Sequence, residues 1–351
     1  MLNSFNLQNI VRQHILSMAP YSSARDEYTG KEGIFLDANE NPIGSATPEN
    51  WNRYPDPYQW EIKEKLAPIK GCRPSQIFLG NGSDEPIDLI IRLTCEPKED
   101  NIIILPPTYG MYEVSASVNN VEIQKIPLTT DYQLDTDKII AAINPKTKLI
   151  FICSPNNPTG NLIDRQAILI IIENFQQGIV IIDEAYNDFS EEPSFITELD
   201  KFPNVMVLQT FSKAWGLAAL RLGMAFANEE LISFLNKIKY PYNINGLTQK
   251  QLIENIGNID FVKNSVATLN QNRSDLITEL SNLPIVEKIY PSDANFLLVR
   301  FSEAKKIFDY LIEQKTIVRD RSKVILCDNS LRISVGTAQE NEHLINLLKK
   351  Y

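Results

Sequence analysis

The sequence contains few of the residues that bind transition metals or form disulfides. Its 351 residues include only four cysteines and two histidines. The cysteines are widely spaced and form no Cys-x-x-Cys pair: Cys72, Cys95, Cys153 and Cys327. This usage is typical of reduced thiols in a cytoplasmic protein. Neither His14 nor His343 lies in a recognisable motif, so we expect no metal site and no histidine-dependent catalytic triad.

Long apolar runs and an excess of positive charge are also lacking. Apolar runs such as 167–172 are far shorter than the roughly 20 residues of a membrane-spanning helix. The N-terminus has no basic start followed by an apolar stretch, so we expect no secretory signal. With 44 acidic and 34 basic residues the net charge is −10, which argues against a surface for nucleic acid or anionic membrane. We therefore expect a cytoplasmic protein that acts on small molecules.

Strands and helices alternate through the first two thirds of the chain. Runs rich in isoleucine, valine and leucine occur at 101–105, 148–153, 178–183 and 205–208, separated by helical segments. Runs without polar alternation are typical of strands buried on both faces. The sequence therefore predicts an α/β fold in which helices cover both faces of a mostly parallel sheet.

The length of the chain and a change of pattern predict two domains and an arm. A chain of 351 residues, 43% hydrophobic, is long enough for two cores. We predict an N-terminal arm over 1–35 that packs with the smaller domain. Residues 36–245 are predicted to form the large domain. Residues 246–351, with mixed short strands and helices, are predicted to form a smaller α+β domain.

Polar and aromatic residues follow the predicted buried strands at their carboxyl ends. Tyr109, Asn157, Asp183, Tyr186 and Lys213 all lie just beyond such strands. Ligands of open parallel sheets bind at this edge. Taken singly, Asp183 is equally compatible with a strand-end cap, Asn157 with a turn residue and Tyr109 with an exposed loop aromatic. Their joint placement is what favours a site.

Two segments are suited to binding a phosphate. Gly82, Ser83 and Asp84 lie between a strand-like run and a predicted helix, and a glycine turn at a helix N-terminus can hold an anion. An ordinary strand–helix turn is the alternative. Further along, Ser212 and Arg221 flank Lys213. A lysine amine performs covalent chemistry when its surroundings lower its pKa, and this layout suits pyridoxal phosphate.

Three motifs, spaced along the chain, resemble those of the fold-type I pyridoxal-phosphate aminotransferases. They are Ser-Pro-Asn-Asn-Pro-Thr-Gly at 154–160, Asp-Glu-Ala-Tyr at 183–186 and Ser-Lys-x(7)-Arg-x-Gly at 212–223. The resemblance extends to the Asn-Glu-Asn-Pro loop at 39–42 and the Tyr-Pro pair at 54–55. Within this class, segments 20–25, 319–320 and 331–337 are similar to the histidinol-phosphate aminotransferases.

This resemblance implies a cofactor and a role for each motif residue. Pyridoxal 5′-phosphate would be bound covalently by Lys213, which would also move the proton during catalysis. Asp183 would contact the ring nitrogen, Asn157 and Tyr186 the ring oxygen, and Tyr109 the ring face. The phosphate would be held by a larger group: Gly82, Ser83, Asp84, Ser212, Arg221 and Tyr54. Because Tyr54 would come from a second subunit, the resemblance implies a homodimer.

The resemblance also implies a substrate. Arg319 and Arg332 would bind the phosphate of L-histidinol phosphate and a carboxylate of glutamate in turn, while Tyr21 closes over the substrate and Asn41 lines the pocket. Arg321 is equally compatible with a solvated charge. The implied reaction converts L-histidinol phosphate and 2-oxoglutarate into imidazole acetol phosphate and L-glutamate, in L-histidine biosynthesis. An aminotransferase for aromatic or other amino acids, a phosphothreonine-type decarboxylase and a cofactor-binding regulatory module without turnover remain alternatives.

Overall fold

The computed structural model describes residues 5–21 and 32–351. Its strands are β1 (Ile77–Asn81), β2 (Asn101–Ile104), β3 (Glu122–Lys125), β4 (Thr147–Cys153), β5 (Ile179–Asp183), β6 (Val205–Thr210), β7 (Leu222–Ala227), β8 (Val286–Ile289), β9 (Phe296–Phe301), β10 (Arg319–Asp320) and β11 (Ser330–Ser334). Its α-helices are α1 (Gln13–Ser17), α2 (Trp60–Lys70), α3 (Asp84–Thr94), α4 (Met111–Val118), α5 (Thr136–Ala142), α6 (Arg165–Asn174), α7 (Glu229–Ile238), α8 (Gly246–Asn255), α9 (Ile259–Ser281), α10 (Ala304–Glu313) and α11 (Ala338–Leu348). Short 3₁₀ helices cover Leu7–Asn9, Pro74–Gln76, Asn187–Phe189, Phe195–Glu198 and Ala218–Leu220. No helix of this part of the chain is long and apolar enough to cross a membrane.

A seven-stranded sheet forms the centre of the larger unit. Its strand order is β1-β7-β6-β5-β4-β2-β3, and only β7 runs antiparallel to its neighbours. Alternate residues of β4 enter different cores: Ile150 and Ile152 on one face, Leu149 and Phe151 on the other. Burial on both faces explains why these strands are continuous apolar runs. The predicted α/β fold is confirmed.

A four-stranded antiparallel sheet in the order β10-β11-β9-β8 forms the centre of the smaller unit. Leu297 and Val299 face a core that α9, α10 and α11 complete. Phe296 and Leu298, which alternate with them along β9, join a core of the large sheet instead. The small sheet therefore presents one face to the large unit, and this is the face on which Arg332 lies, opposite Leu298 in the register.

The described part of the arm contacts the large unit, whereas the sequence prediction placed it with the smaller one. Leu7, Ile10, Val11 and Ile15 are buried in the core that α3 and α7 share with the large sheet. The backbone N–H of Arg12 donates to Leu93 O at 3.0 Å. The apolar residues of the arm are buried only if they cover this face of α3 and α7, and that requirement decides the packing. The rest of the predicted arm includes residues 22–31, which lie outside the described part.

The division between the two units remains a proposal, and the contacts place it later than residue 245. Leu252 of α8 is buried in a core of the large sheet, and Leu269 of α9 packs against it. Leu276 and Leu280, further along α9, belong to the core of the small sheet. One long helix thus spans both cores, which a change in sequence pattern cannot reveal.

Two backbones approach each other closely where β7 passes the end of β1. Gly80 and Gly223 are opposite one another in the β1–β7 register. A Cβ atom on Gly223 would lie 2.2 Å from Gly82 C and 2.3 Å from Ser83 N. Only glycine allows β7 to pass so near the turn that begins α3.

We therefore expect Gly223→Ala to destabilise the protein, because the added methyl group forces the two backbones apart. Overpacking of this kind costs about 1–3 kcal/mol, and urea unfolding should show a loss of at least this order in the free energy of unfolding. Gly257→Ala is the matched control, since a Cβ atom there would meet no atom within 4 Å. Equal stability of the two variants would contradict the close contact.

Candidate active site

A cavity of about 150 Å³ lies at the carboxyl edge of the large sheet. Its walls come from the ends of β1, β4, β5 and β6, from the loops that follow them and from the loop after β2. The lining residues are Gly82, Ser83, Asp84, Tyr109, Cys153, Asn157, Asp183, Ala185, Tyr186, Thr210, Ser212, Lys213, Ala218 and Arg221. The fold thus brings together every residue of the sheet edge that the sequence predicted for the site.

One end of the cavity combines a glycine turn, a helix N-terminus and a guanidinium group. Gly82 adopts a left-handed conformation, with φ +70°, and its N–H donates to Arg221 O at 2.8 Å. A Cβ atom on Gly82 would lie 2.8 Å from Arg221 Nη2. Ser83 is the N-cap of α3, where the helix dipole and free N–H groups favour an anion. This end of the cavity is suited to a phosphate.

Asp84 joins two of the residues that border this anion site. Its Oδ1 accepts a hydrogen bond from the hydroxyl of Tyr109 at 3.0 Å. Its Oδ2 lies 3.8 Å from Arg221 Nη2. The Asp84 carboxylate therefore contacts both side chains and restricts the orientation of the Tyr109 ring and the Arg221 guanidinium relative to each other.

Asp183 ends β5 as a buried carboxylate, only 2% exposed. Burial raises the pKa of Asp183 to about 6, and two hydrogen bonds oppose that rise. Tyr112 donates its hydroxyl to Oδ2 at 2.6 Å, and the N–H of Ala185 donates to Oδ1 at 3.1 Å. The sequence analysis did not identify Tyr112. Its place in the first turn of α4, three residues after Tyr109, was the available signal.

Lys213 lies in the loop between β6 and β7, with its Nζ 5.6 Å from the ring centroid of Tyr186. Burial lowers the pKa of Lys213, and the positive charges of Arg332 and Arg221 lower it further, against the opposing effect of Asp183 and Asp84. An amine with a lowered pKa is more often neutral at physiological pH and is the stronger nucleophile.

Asn157 connects the two units at the cavity. Its Nδ2 donates to the hydroxyl of Tyr186 at 3.4 Å, and its Oδ1 accepts from Nη1 of Arg332 at 2.5 Å. Arg332 comes from β11 of the small sheet, whereas the other two side chains belong to the large unit. Burial lowers the pKa of Arg332, because its charge is less well solvated there than at the protein surface.

Three arginines lie on the same part of the small sheet. Arg319 is opposite Arg332 in the β10–β11 register, and the N–H of Arg321 donates to Ser330 O at 2.9 Å. Burial and the charges of Arg332 and Arg319 lower the pKa of Arg321. Its buried Nε has no hydrogen-bond partner among the described residues. The structure therefore disfavours the interpretation of Arg321 as a solvated surface charge.

Besides Arg319 and Arg332 of the small sheet, three more predicted residues do not line the cavity of their own chain. Tyr54 is 50% exposed and stacks on Tyr242 with ring centroids 4.4 Å apart. Asn41 is exposed, and its side chain accepts from the N–H of Ile43. Tyr21 is 71% exposed at the end of the first described segment. Their predicted roles stay predictions.

Comparison with known proteins gives close relatives along nearly the whole chain. The family model described as aminotransferase class I and II matches residues 28–348. A protein of Cytophaga hutchinsonii named histidinol-phosphate aminotransferase is 56% identical, over 99% of this chain and 100% of its own. The histidinol-phosphate aminotransferase structure from Clostridium acetobutylicum has a TM-score of 0.79 at 24% identity, covering 86% of this chain and 90% of its own. The Sinorhizobium meliloti enzyme in complex with pyridoxal-5′-phosphate has a TM-score of 0.76 at 20% identity, covering 96% and 97%.

We expect Asp183→Asn to stabilise the ligand-free protein at pH 8. Because burial raises the pKa of this carboxyl from 3.8 to about 6, the folded protein binds the proton more tightly than the unfolded chain. The charged group therefore lowers stability above about pH 6 and carries no such penalty below pH 4. The shift in pKa corresponds to at most about 3 kcal/mol. Urea unfolding at pH 8 should therefore show a free energy of unfolding that is higher in Asp183→Asn than in wild type by up to this amount. The difference should disappear towards pH 4.

The exposed carboxylate of Glu342 provides a control, because Glu342→Gln removes the same charge without a burial penalty. It should change the stability by no more than about 0.5 kcal/mol at either pH. An Asp183→Asn variant less stable than wild type at pH 8 would contradict the penalty.

Proposed function

The chain belongs to the aminotransferase class I and II family, and from this membership we propose that it moves an amino group from L-histidinol phosphate to 2-oxoglutarate with pyridoxal 5′-phosphate as cofactor. The products are imidazole acetol phosphate and L-glutamate, and the pathway is L-histidine biosynthesis. The name and 56% identity of the Cytophaga hutchinsonii relative support this choice of substrate. Small soluble reactants and four free cysteines support a cytoplasmic location, which is part of the proposal.

The observation that carries the proposal is the convergence of three chemically different groups in one cavity. They are an amine with a lowered pKa at Lys213, a buried carboxylate at Asp183 and an anion site beside Gly82 and Arg221. Pyridoxal 5′-phosphate has an aldehyde, a ring nitrogen and a phosphate that match these groups in kind. When bound, it supplies a ring that accepts electrons from the reacting substrate carbon.

The residues of the cavity divide the work of holding this cofactor. Lys213 would bind the aldehyde covalently, and Asp183 would hold the proton of the ring nitrogen through a charge-assisted hydrogen bond. Asn157 and Tyr186 would donate to the ring oxygen. The phosphate would lie among the residues at the anion end of the cavity: Gly82, Ser83, Asp84, Ser212 and Arg221. Tyr109, which is tied to Asp84, would cover the ring face.

Lys213 would have a second task once the substrate amine has replaced it. Its freed amine would take the proton from the substrate carbon and return it on the cofactor side, as a general base and then a general acid. The lowered pKa of Lys213 supports this, because a general base must be neutral when it accepts the proton.

The arginines of the small sheet are proposed to bind the anionic end of each substrate. Arg332 and Arg319 would bind a phosphate or a carboxylate bidentately. The local excess of positive charge, including Arg321, would concentrate an anion against the net charge of −10. Tyr21 and Asn41 are proposed to complete the substrate pocket from the arm and the loop at 39–42.

We propose that the active unit is a homodimer in which Tyr54 of one protomer reaches the cofactor phosphate of its partner. Tyr54 does not line the cavity of its own chain and stacks on Tyr242. Nearby along the chain, Ile34, Leu36 and Ile43 are between 86% and 92% exposed. Several large apolar side chains exposed to this degree favour an interaction site, and a second copy of this chain would cover them.

The reaction is tested by adding L-histidinol phosphate to the cofactor-loaded protein without any keto acid. We expect stoichiometric conversion of bound pyridoxal phosphate into pyridoxamine phosphate, followed by absorbance, and its reversal by 2-oxoglutarate. Phenylalanine or tyrosine as the effective donor would keep the family and overturn the substrate. Release of carbon dioxide from a phosphorylated amino acid would indicate decarboxylation instead.

Lys213→Ala is expected to abolish covalent cofactor binding and to lower turnover by about four orders of magnitude or more, because one side chain performs both tasks. Lys263→Ala, which removes an exposed lysine, serves as the control and should leave both unchanged. Wild-type turnover in Lys213→Ala would overturn the mechanism. Cofactor binding without turnover in the wild-type protein would support a regulatory module.

The dimer is tested by mixing two defective variants, Lys213→Ala and Tyr54→Ala. If Tyr54 acts across the interface, a mixed dimer contains one site with both intact residues, and it should recover up to half the activity of the wild-type dimer. If Tyr54 acts within its own chain, no site of the mixed dimer is intact, and activity should stay at the level of the variants. The comparison uses mixed dimers separated by two affinity tags after joint refolding.

A further inference from the structure

Tyr112 makes the shortest contact with the buried carboxylate, yet it does not line the cavity. It lies in the first turn of α4, is completely buried, and donates its hydroxyl to Asp183 Oδ2 at 2.6 Å. Its ring stacks on Phe151 with centroids 4.7 Å apart and 19° between the planes. On the other side it meets the edge of Tyr109, with centroids 5.6 Å apart. The ring is therefore held in one orientation by packing.

The Tyr112 hydroxyl can act only as a donor towards Asp183. Burial and the neighbouring charge of Asp183 raise the pKa of Tyr112 well above its ordinary value, so the phenol stays protonated throughout the physiological range. A hydrogen bond from a neutral donor to a buried carboxylate stabilises the charged form of that carboxylate. Without it, Asp183 would keep one hydrogen-bond donor among the described residues, the N–H of Ala185.

Other ionisable groups face Asp183 from each neighbouring element. The positive charge of Lys213 favours the charged carboxylate, whereas the negative charge of Asp84 at the start of α3 opposes it. Cys153 at the end of β4 is buried and its pKa is raised, so it adds no charge. Tyr109 and Tyr186 are likewise raised in pKa by burial. Among these groups, Tyr112 alone combines direct contact with a fixed ring.

We propose that Tyr112 is a positioning residue that keeps Asp183 ionised and correctly rotated to bind the ring nitrogen of the cofactor. This inference rests on the function proposed above. Tyr112 would act entirely through Asp183, because its ring and hydroxyl are covered by Tyr109, Phe151 and the carboxylate itself. A merely structural tyrosine would stabilise the fold without changing how the cofactor affinity depends on pH.

The test is Tyr112→Phe, which removes one oxygen and keeps the ring stack. The dissociation constant of pyridoxal 5′-phosphate is measured for the cofactor-free protein by fluorescence titration from pH 6.5 to 9. At pH 7 we expect binding about 10- to 100-fold weaker than in wild type, the loss typical of a hydrogen bond to a charged group. By pH 9 Asp183 is ionised in both proteins, so the ratio of the two dissociation constants should fall towards one.

Tyr132→Phe is the matched control. Tyr132 is also buried, and its hydroxyl donates to Leu326 O at 2.7 Å, but this residue lies outside the cavity lining. Tyr132→Phe should leave the ratio of the variant and wild-type dissociation constants near one at every pH. A Tyr112→Phe ratio that stays constant over the whole pH range, whether near one or far from it, would overturn the proposal.

Two further variants make the inference specific to Asp183. In an Asp183→Asn background, Tyr112→Phe should change the dissociation constant by less than about twofold, because the carboxylate charge that the Tyr112 hydroxyl stabilises is absent. A loss of affinity in that background as large as in wild type would refute action through Asp183.

Phe151→Leu, which loosens the ring stack but keeps the hydroxyl, should weaken cofactor binding with the same pH dependence but to a smaller extent. Because wild-type cofactor uptake is measured separately, a failure of the proposed function is distinguishable from a failure of this inference.

Discussion

The site depends on one unfavourable feature, a carboxylate buried at the carboxyl end of β5. Asp183 is 2% exposed, and burial alone would favour its neutral form. Hydrogen bonds from Tyr112 and from the N–H of Ala185, together with the amine of Lys213 nearby, oppose that tendency. The environment lowers the pKa of the lysine and raises that of the carboxyl, which brings both towards the physiological range, where each can exchange or hold a proton during catalysis.

The second constraint is that an acidic chain must hold anions. The net charge is −10, yet positive groups are concentrated at the two ends of the site. The start of α3 and Arg221 form one end, where Gly82 allows the guanidinium to approach the backbone. Arg319, Arg321 and Arg332 lie at the other, on the small sheet. Local concentration rather than overall charge therefore determines which ligands this protein can bind.

The hydrogen bond between Arg332 and Asn157 makes the site depend on both units. Arg332 lies on β11, whereas Asn157 follows β4 and also bonds Tyr186. A shift of the small sheet would therefore disturb the proposed ring-oxygen donors, Asn157 and Tyr186, as well as the proposed substrate arginines. The face of the small sheet that carries Phe296 and Leu298 is buried in a core of the large one, and this apolar contact supports the alignment of the two units.

The sequence alone determined the parallel sheet and the residues at its carboxyl edge, because continuous apolar strands and the motifs that follow them are local patterns. It did not determine contacts between distant residues. Tyr112 and Asp183 are 71 positions apart, and Asn157 and Arg332 are 175 apart, so only packing brings them together. The sequence prediction also differs from the structure at the described part of the arm, for the same reason: its apolar residues fit any open apolar face, and the tertiary structure selects the one on α3 and α7.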